Sequence, residues 1–221
     1  MINEYALLPG FKFVRRIYLG AEAELIHGTW ASKDVVIKRR ISKGYRMREL
    51  DVKIIWSRTL KEATFMHDVK RIGVLTPIIY HLNPQAGIII MSFENFPTLR
   101  NVILKEKGVD LSGLGRAVSI LHAAGFVHGD LTPSNILLSP EGPIFLDFGL
   151  SERTKENEMF AEDLYLLKRS LEGLLDQRAE AAFKEVLEGY SVEFIEHEKV
   201  KTKIEEISKR GRYVRRGVPH A

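Results

Sequence analysis

In the stretch HGDLTPSNILLSPEGPIFLDFGLS, His128 to Ser151, Asp130 and Asn135 stand on one polar loop, and Asp147 follows at the end of an apolar strand. Gly149, two residues further on, frees the backbone to turn. Oxygen donors of this kind suit Mg²⁺, whose coordination shell is usually completed by substrate phosphates. Phosphoryl transfer asks mainly for positioning and charge neutralisation. Three oxygen-bearing side chains on adjacent loops could provide both. The competing reading makes Asp130 a turn cap and Asp147 a strand-end residue with no chemistry.

Such loops need a scaffold, and the chain has the means to build one. It has 221 residues, 45% of them hydrophobic, which is enough for one large domain or two small lobes. It has no cysteine, which excludes disulfides, thiolate nucleophiles and cysteine-held zinc and fits a cytoplasmic protein. The start, MINEYALLPGFKFVRRIYLG, lacks the basic and apolar regions of a signal peptide, and runs such as GIIIMSF are too short to span a bilayer. No membrane role is expected. The net charge is +4. Its basic residues gather between Lys38 and Arg58 and again in KRGRYVRRG, Lys209 to Gly217. The second cluster reads either as a solvated terminus or, with its glycines and Tyr213, as a contact for RNA phosphates.

The spacing predicts strands over Phe13–Leu19, Ala23–Trp30 and Lys33–Arg39. A helix follows from about Leu50 to Arg71, with Ile55, Thr59, Glu62, Met66 and Val69 on one face. Two more strands are expected over Ile78–Leu82 and Gly87–Phe93. Beyond the ENFPT linker the pattern turns helical, over Leu99–Lys107, Leu111–Ala124, Phe160–Leu175, Arg178–Glu188 and Glu196–Lys209. Short strands interrupt it around the two aspartates. The expected class is α+β, with a β-rich N-terminal lobe over residues 1–94, a helical C-terminal lobe over 95–208 and a basic tail over 209–221. A nucleotide would suit a cleft between two such lobes.

At His128-Gly129-Asp130 with Asn135, followed by Asp147-Phe148-Gly149, the chain resembles the protein-kinase superfamily. The resemblance implies that Asp130 orients or deprotonates the acceptor hydroxyl and that Asn135 and Asp147 bind Mg²⁺, with Mn²⁺ as a substitute. It implies that VVIK places Lys38 at the α- and β-phosphates of ATP. Glu62 is its expected partner, ahead of Glu49 and Glu94, because Glu62 shares its helix face with apolar residues. The phosphate-covering loop departs from the kinase pattern. In GAEAEL only Gly20 remains, beside Ala21 and Ala23, while Glu22 and Leu25 take the other glycine positions. A carboxylate there repels phosphate unless cations intervene, so Glu22 is expected to point elsewhere. Met91 falls at the gatekeeper position, and the backbone of Ser92 and Glu94 would meet adenine.

The second departure is larger. No A-P-E motif follows Gly149, and Asp163 already opens the next helix, where the resemblance makes it the anchor of the catalytic loop. The usual peptide platform is therefore missing. With Gly129 in place of the common arginine, switching by phosphorylation is not expected. LGAEAEL, VIKRR, HGDLTPSNILL, FLDFGLS, EDLYLLKRSL and the KRGR tail together resemble the small kinase subunit of the KEOPS complex, the PRPK-type family, over nearly the whole chain. This implies a serine/threonine kinase or ATPase working in threonylcarbamoyladenosine modification of tRNA. The KEOPS catalytic subunit would sit on the C-terminal lobe and a small accessory subunit on the N-terminal lobe. Lys209, Arg210, Arg212, Arg215 and Arg216 would lie near tRNA. The alternative is a RIO-type serine kinase of ribosome maturation, whose phosphate loop carries an S-T-G-K-type signature not found here. A degenerate scaffold is disfavoured by the intact Lys38, Asp130, Asn135 and Asp147. An aminoglycoside-type kinase is disfavoured by the lack of a helical insertion after the catalytic loop.

Overall fold

The computed structural model describes residues 9–106 and 108–216, with residues 211–216 described by backbone alone. It divides into two compact units, Met1–His67 with Pro77–Asn95, and Asp68–Thr76 with Phe96–Ala221.

The first unit is an antiparallel sheet built from β1 (Lys12–Leu19), β2 (Ala23–Trp30), β3 (Lys33–Arg40), β4 (Ile79–Asn83) and β5 (Ile88–Ser92), in the order β1-β2-β3-β5-β4. β2 and β3 join through Ala31 and Ser32, both left-handed (φ 49° and 61°), as a two-residue hairpin turn requires. Period-two alternation then sorts the side chains. Ile26, Val35, Ile37, Ile88 and Ile90 bury one face together with Phe11. The register pairs Leu25 with Lys38, His27 with Val36 and Val36 with Met91, so these side chains share the opposite face. The edge strand β1 is exposed along its length and carries two irregularities of register. α1 (Arg48–Arg71) lies mostly in this unit, and Thr59, Glu62, Met66 and Val69 are buried along it, as the spacing predicts.

The second unit is mostly helical. It holds α2 (Leu99–Lys105), α3 (Ser112–Ala123), α4 (Asn157–Leu175), α5 (Ala179–Tyr190) and α6 (His197–Arg216). Between α3 and α4 come β6 (Phe126–Val127), a 3₁₀ turn at Pro133–Asn135, the hairpin of β7 (Ile136–Ser139) with β8 (Gly142–Phe145), and β9 (Glu152–Arg153), which pairs with β6. Leu99, Val118, Leu121, Phe145, Leu164 and Leu171 are fully buried in its core. Residues 68–76 belong here because Leu75 bridges Ile144 and its carbonyl accepts from the Phe145 N–H at 2.9 Å. α2 stops at Lys105, and the expected end at Lys107 lies outside the described residues. α6 continues to Arg216, so Lys209 to Arg216 are helical in backbone rather than a tail beyond the helix. Residues 217–221 of the expected tail lie outside the described residues. No helix among the described residues is long and apolar enough to cross a membrane.

Candidate active site

In the first unit, Lys38 Nζ lies 2.5 Å from Glu62 Oε1, and both side chains are buried. β3 supplies the lysine and the apolar face of α1 supplies the carboxylate. Arg40, two residues along β3 and therefore on the same face, reaches the other oxygen, with Nη2 2.6 Å from Glu62 Oε2. Loop 20–23 closes through a hydrogen bond from the Gly20 N–H to the Ala23 carbonyl at 2.9 Å. The Glu22 side chain turns to Arg58 of α1, 3.0 Å away, while its carbonyl accepts from the Ile41 N–H at 2.9 Å. A cation thus meets the carboxylate that stands where kinases carry glycine. Met91 is half-buried on the Lys38 face. Ser92 Oγ accepts from the Ile78 N–H at 2.8 Å and donates to Glu94, and the Phe93 N–H donates to the Asp34 carbonyl at 3.2 Å.

In the second unit, the loop from His128 to Asn135 hangs from Asp163, in the second turn of α4. Its two oxygens accept from the backbone N–H of His128 at 2.6 Å and of Gly129 at 2.8 Å. Burial alone would raise the Asp163 carboxyl. The hydrogen bonds it accepts from His122 and from the His128 N–H outweigh that and hold it below the ordinary range. As an ionised acceptor, Asp163 takes the His122 Nε2–H at 3.3 Å, which leaves His122 Nδ1 to accept from the Tyr190 hydroxyl at 2.9 Å. Burial, with the Asp163 charge behind it, pushes the Tyr190 phenol up, so it stays a neutral donor.

His128 closes the other side of the loop. Its Nδ1 accepts from the Asp130 N–H at 3.3 Å, which makes Nε2–H the donor to the Leu146 carbonyl at 2.9 Å. Burial lowers this imidazole despite the opposing charge of Asp163, in keeping with the neutral tautomer. Gly129 adopts φ 79°, and a Cβ there would sit 2.4 Å from the Leu150 carbonyl oxygen, so the absence of arginine has a steric basis. The Ser151 hydroxyl donates to the His128 carbonyl at 2.8 Å, tying the segment after Gly149 to the loop.

Asn135 Nδ2 donates to the Asp130 carboxylate at 2.8 Å and to the Asp130 carbonyl at 3.0 Å. Its nitrogen engaged, Asn135 presents its amide oxygen as the atom for a cation. The Asn135 carbonyl accepts from the Leu146 N–H at 2.8 Å, so the strand end bearing Asp147 is hydrogen-bonded to the loop. Asp147 is exposed and left-handed (φ 58°), a conformation uncommon outside glycine and concentrated at functional sites. One amide oxygen and one carboxylate make a hard donor set that fits Mg²⁺ with phosphates completing its shell. Among the described residues no group of three acidic, histidine or cysteine side chains converges as a metal site by itself.

Arg40, Arg58, His122 and Tyr190 were not expected from the sequence. Strand parity with Lys38 is a signal that could have found Arg40. His122 and Tyr190 lie 68 residues apart, and nothing local marks them.

A family model for the RIO domain matches residues 22–184. The chain is 40% identical over 194 residues to a probable bifunctional tRNA threonylcarbamoyladenosine biosynthesis protein of Methanothermobacter thermautotrophicus, covering 88% of this chain and 36% of that one. It thus spans about a third of the length of the bifunctional relatives it matches. It is 37% identical over 205 residues to the KEOPS complex subunit Bud32 of Pyrococcus abyssi, covering 90% of this chain and 92% of that subunit. Among solved structures it is similar to the Rio2 kinase of Chaetomium thermophilum in its ADP/Mg²⁺–phosphoaspartate complex. The TM-score is 0.61 at 17% identity, over 90% of this chain and 70% of that one, a likeness of fold. The RIO and KEOPS readings therefore describe one domain at two depths: the chain belongs to the RIO-domain family of kinase-like proteins and, within it, to the Bud32 group.

Proposed function

We propose that this chain is the kinase-type subunit of a cytoplasmic KEOPS assembly that makes threonylcarbamoyladenosine in tRNA, where it binds Mg²⁺-ATP and releases or transfers the γ-phosphate. The observation that carries this reading is the catalytic loop itself. Asp163 ties its backbone, and the Asp130 carboxylate is hydrogen-bonded to Asn135. The near full-length similarity to a KEOPS subunit supports the setting.

Lys38, held by Glu62, contacts the α- and β-phosphates under Gly20, Ala21, Glu22 and Ala23. Met91 and the backbone of Ser92 and Glu94 bound the adenine. Asn135 and Asp147 would hold Mg²⁺, or Mn²⁺, which offsets phosphate charge when bound. Asp130 takes the proton of the attacking hydroxyl as a new bond to the γ-phosphorus forms and the bond to the β-γ bridging oxygen breaks, so ADP leaves. Only residues 150–156 lie between Gly149 and α4, little chain on which to dock a peptide. Water, or a serine or threonine of this chain or of its partner, is therefore the acceptor. The KEOPS catalytic subunit occupies the helical unit, the accessory subunit the sheet unit, and tRNA the basic end of α6. A ribosome-maturation kinase shares the RIO-domain match, but GAEAEL and the intact Asp147-Phe148-Gly149 favour the KEOPS setting.

The test follows the label from γ-labelled ATP, with Mg²⁺, for the chain alone and with the KEOPS catalytic subunit and tRNA. Free phosphate that rises with partner and tRNA marks a coupled ATPase, whereas label on serine or threonine marks a protein kinase. Asp130→Ala and Asp147→Ala are each expected to lower turnover by about a hundredfold or more. Full turnover in Asp147→Ala would remove the metal assignment.

A further inference from the structure

Glu22 stands in the loop that the reading above lays over the phosphates, and an acid there opposes a triphosphate. Its backbone is held on both sides. The Glu22 carbonyl accepts from the Ile41 N–H at 2.9 Å, and the Gly20 N–H donates to the Ala23 carbonyl at 2.9 Å. Ala23 in turn pairs with Arg40 across β2 and β3. The carboxylate leaves the loop for Arg58 of α1, with Oε2 3.0 Å from Nη1. Among the described residues, Arg58 is the one cation within ion-pair distance of Glu22, and Glu22 is the one acid within that distance of Arg58.

Arg58 lies one helical turn before Glu62, so the two project from the same side of α1. Glu62 takes Lys38 of β3 at 2.5 Å, and Arg58 takes the acid of loop 20–23. One side of one helix therefore meets both parts of the sheet unit that the nucleotide reading assigns to phosphate. The Arg58–Glu22 pair is open to solvent, with side chains 42% and 55% exposed, and a pair so exposed adds little to stability. Kinases cover the phosphates with a glycine-rich loop, whose backbone is free to adapt. Here Gly20 is the only glycine, and Ala21 and Ala23 flank the acid. Neither stability nor backbone freedom accounts for Glu22 at this place. A tie to α1 does, because it occupies the carboxylate and gives the loop a fixed path.

We propose that Arg58 is a positioning residue of the phosphate-covering loop, which holds the Glu22 carboxylate on α1 so that the acid is neutralised and the loop keeps one path over a nucleoside triphosphate. The proposal rests on the nucleotide reading above and deepens it. Arg58 acts through Glu22 and touches no phosphate, so its effect is doubly conditional. Loss of Arg58 harms binding only while Glu22 keeps its charge, and only for a ligand that carries phosphates.

Calorimetric titration of the full chain with Mg²⁺-ATP and, separately, with adenosine tests this. Arg58→Ala should weaken Mg²⁺-ATP binding roughly fivefold, the scale of one half-exposed charge interaction, and leave adenosine binding as in the wild type. Arg58→Lys should retain most of the affinity. Arg58→Ala combined with Glu22→Gln should bind Mg²⁺-ATP as Glu22→Gln alone does, because no loop charge is left to release. Wild-type affinity in Arg58→Ala, or an equal loss of ATP and adenosine binding, overturns the proposal. So does a loss that persists beside Glu22→Gln, which would make Arg58 a phosphate ligand in its own right or a purely structural residue. If Arg58→Ala fails to fold by circular dichroism, Arg58→Gln takes its place in the same comparison. A wild-type chain that does not bind Mg²⁺-ATP would overturn the nucleotide reading and this inference together, whereas wild-type binding with indifferent Arg58 variants removes only the inference.

Discussion

Asp163 touches no substrate in the mechanism above, yet it fixes the backbone on which Asp130 sits. Replacing it with alanine strands the His128 and Gly129 N–H groups and leaves His122 without its acid. The expected cost is about 3 kcal/mol of stability, read by urea denaturation. Two buried groups at this loop, His128 and Asp163, have depressed folded values and contribute to the pH dependence. Such a group stabilises the fold above its unfolded value and loses that contribution as pH falls toward the folded one. For His128 the loss begins below about pH 6.5, and for Asp163 only below about pH 4. Melting temperature should therefore fall in two steps on acidification, and His128→Asn should remove the upper step. A flat profile between pH 7 and 5 would contradict a buried neutral His128. Family patterning made Asp130, Asn135, Asp147 and Asp163 readable as single letters. The His122–Tyr190 link was not readable, because buried polar partners are chosen by tertiary packing and carry no local spacing.

At the scale of elements, the tightest joint of the helical unit lies between α3 and α5. A Cβ on Gly115 would stand 1.9 Å from the Val186 carbonyl oxygen, and one on Gly189 would stand 1.9 Å from that of Ser112. Gly115→Ala must push these helices apart, at about 1–3 kcal/mol. Gly173→Ala, on α4 with open space around its Cβ position, should instead stabilise by about 0.5–1 kcal/mol. Thermal melts of the pair check both signs. Strand alternation made β2 readable to the residue, because every second residue from Glu24 to Gly28 is buried, and the bounds of β1, β3 and α1 were readable to within two residues. β6 and β9 escaped notice because two-residue strands have no period to detect. α6 runs past its expected end because one glycine, Gly211, costs a helix only about 1 kcal/mol relative to alanine, and the preceding turns pack on α4.

For the molecule as a whole, a ligand that binds only the folded chain raises its stability by mass action. Mg²⁺-ATP at about a hundred times its dissociation constant should add about 2.7 kcal/mol. The melting temperature should rise in wild type and stay flat in Lys38→Ala, as scanning calorimetry can show. The basic end of α6 answers to salt. If Lys209, Arg212, Arg215 and Arg216 meet tRNA phosphates, removing residues 209–221 should flatten the logarithmic salt slope of tRNA binding by roughly 0.7–0.9 for each phosphate no longer neutralised. An unchanged slope would leave the cluster a solvated helix end. Arg210 is set apart, because it already pairs with Glu158 at 2.7 Å. The division of the chain has one more consequence. Residues 68–76 precede the last strands of the sheet unit in sequence but belong to the helical unit, through Leu75 on β8 and through the Asp68–Arg153 pair at 2.5 Å. Neither unit is one unbroken stretch of chain. A recombination event at the linker near residue 95 would therefore carry off a piece of the helical unit with the sheet. In a hybrid joined at that point, residues 68–76 from one parent would have to pack on β8 from the other.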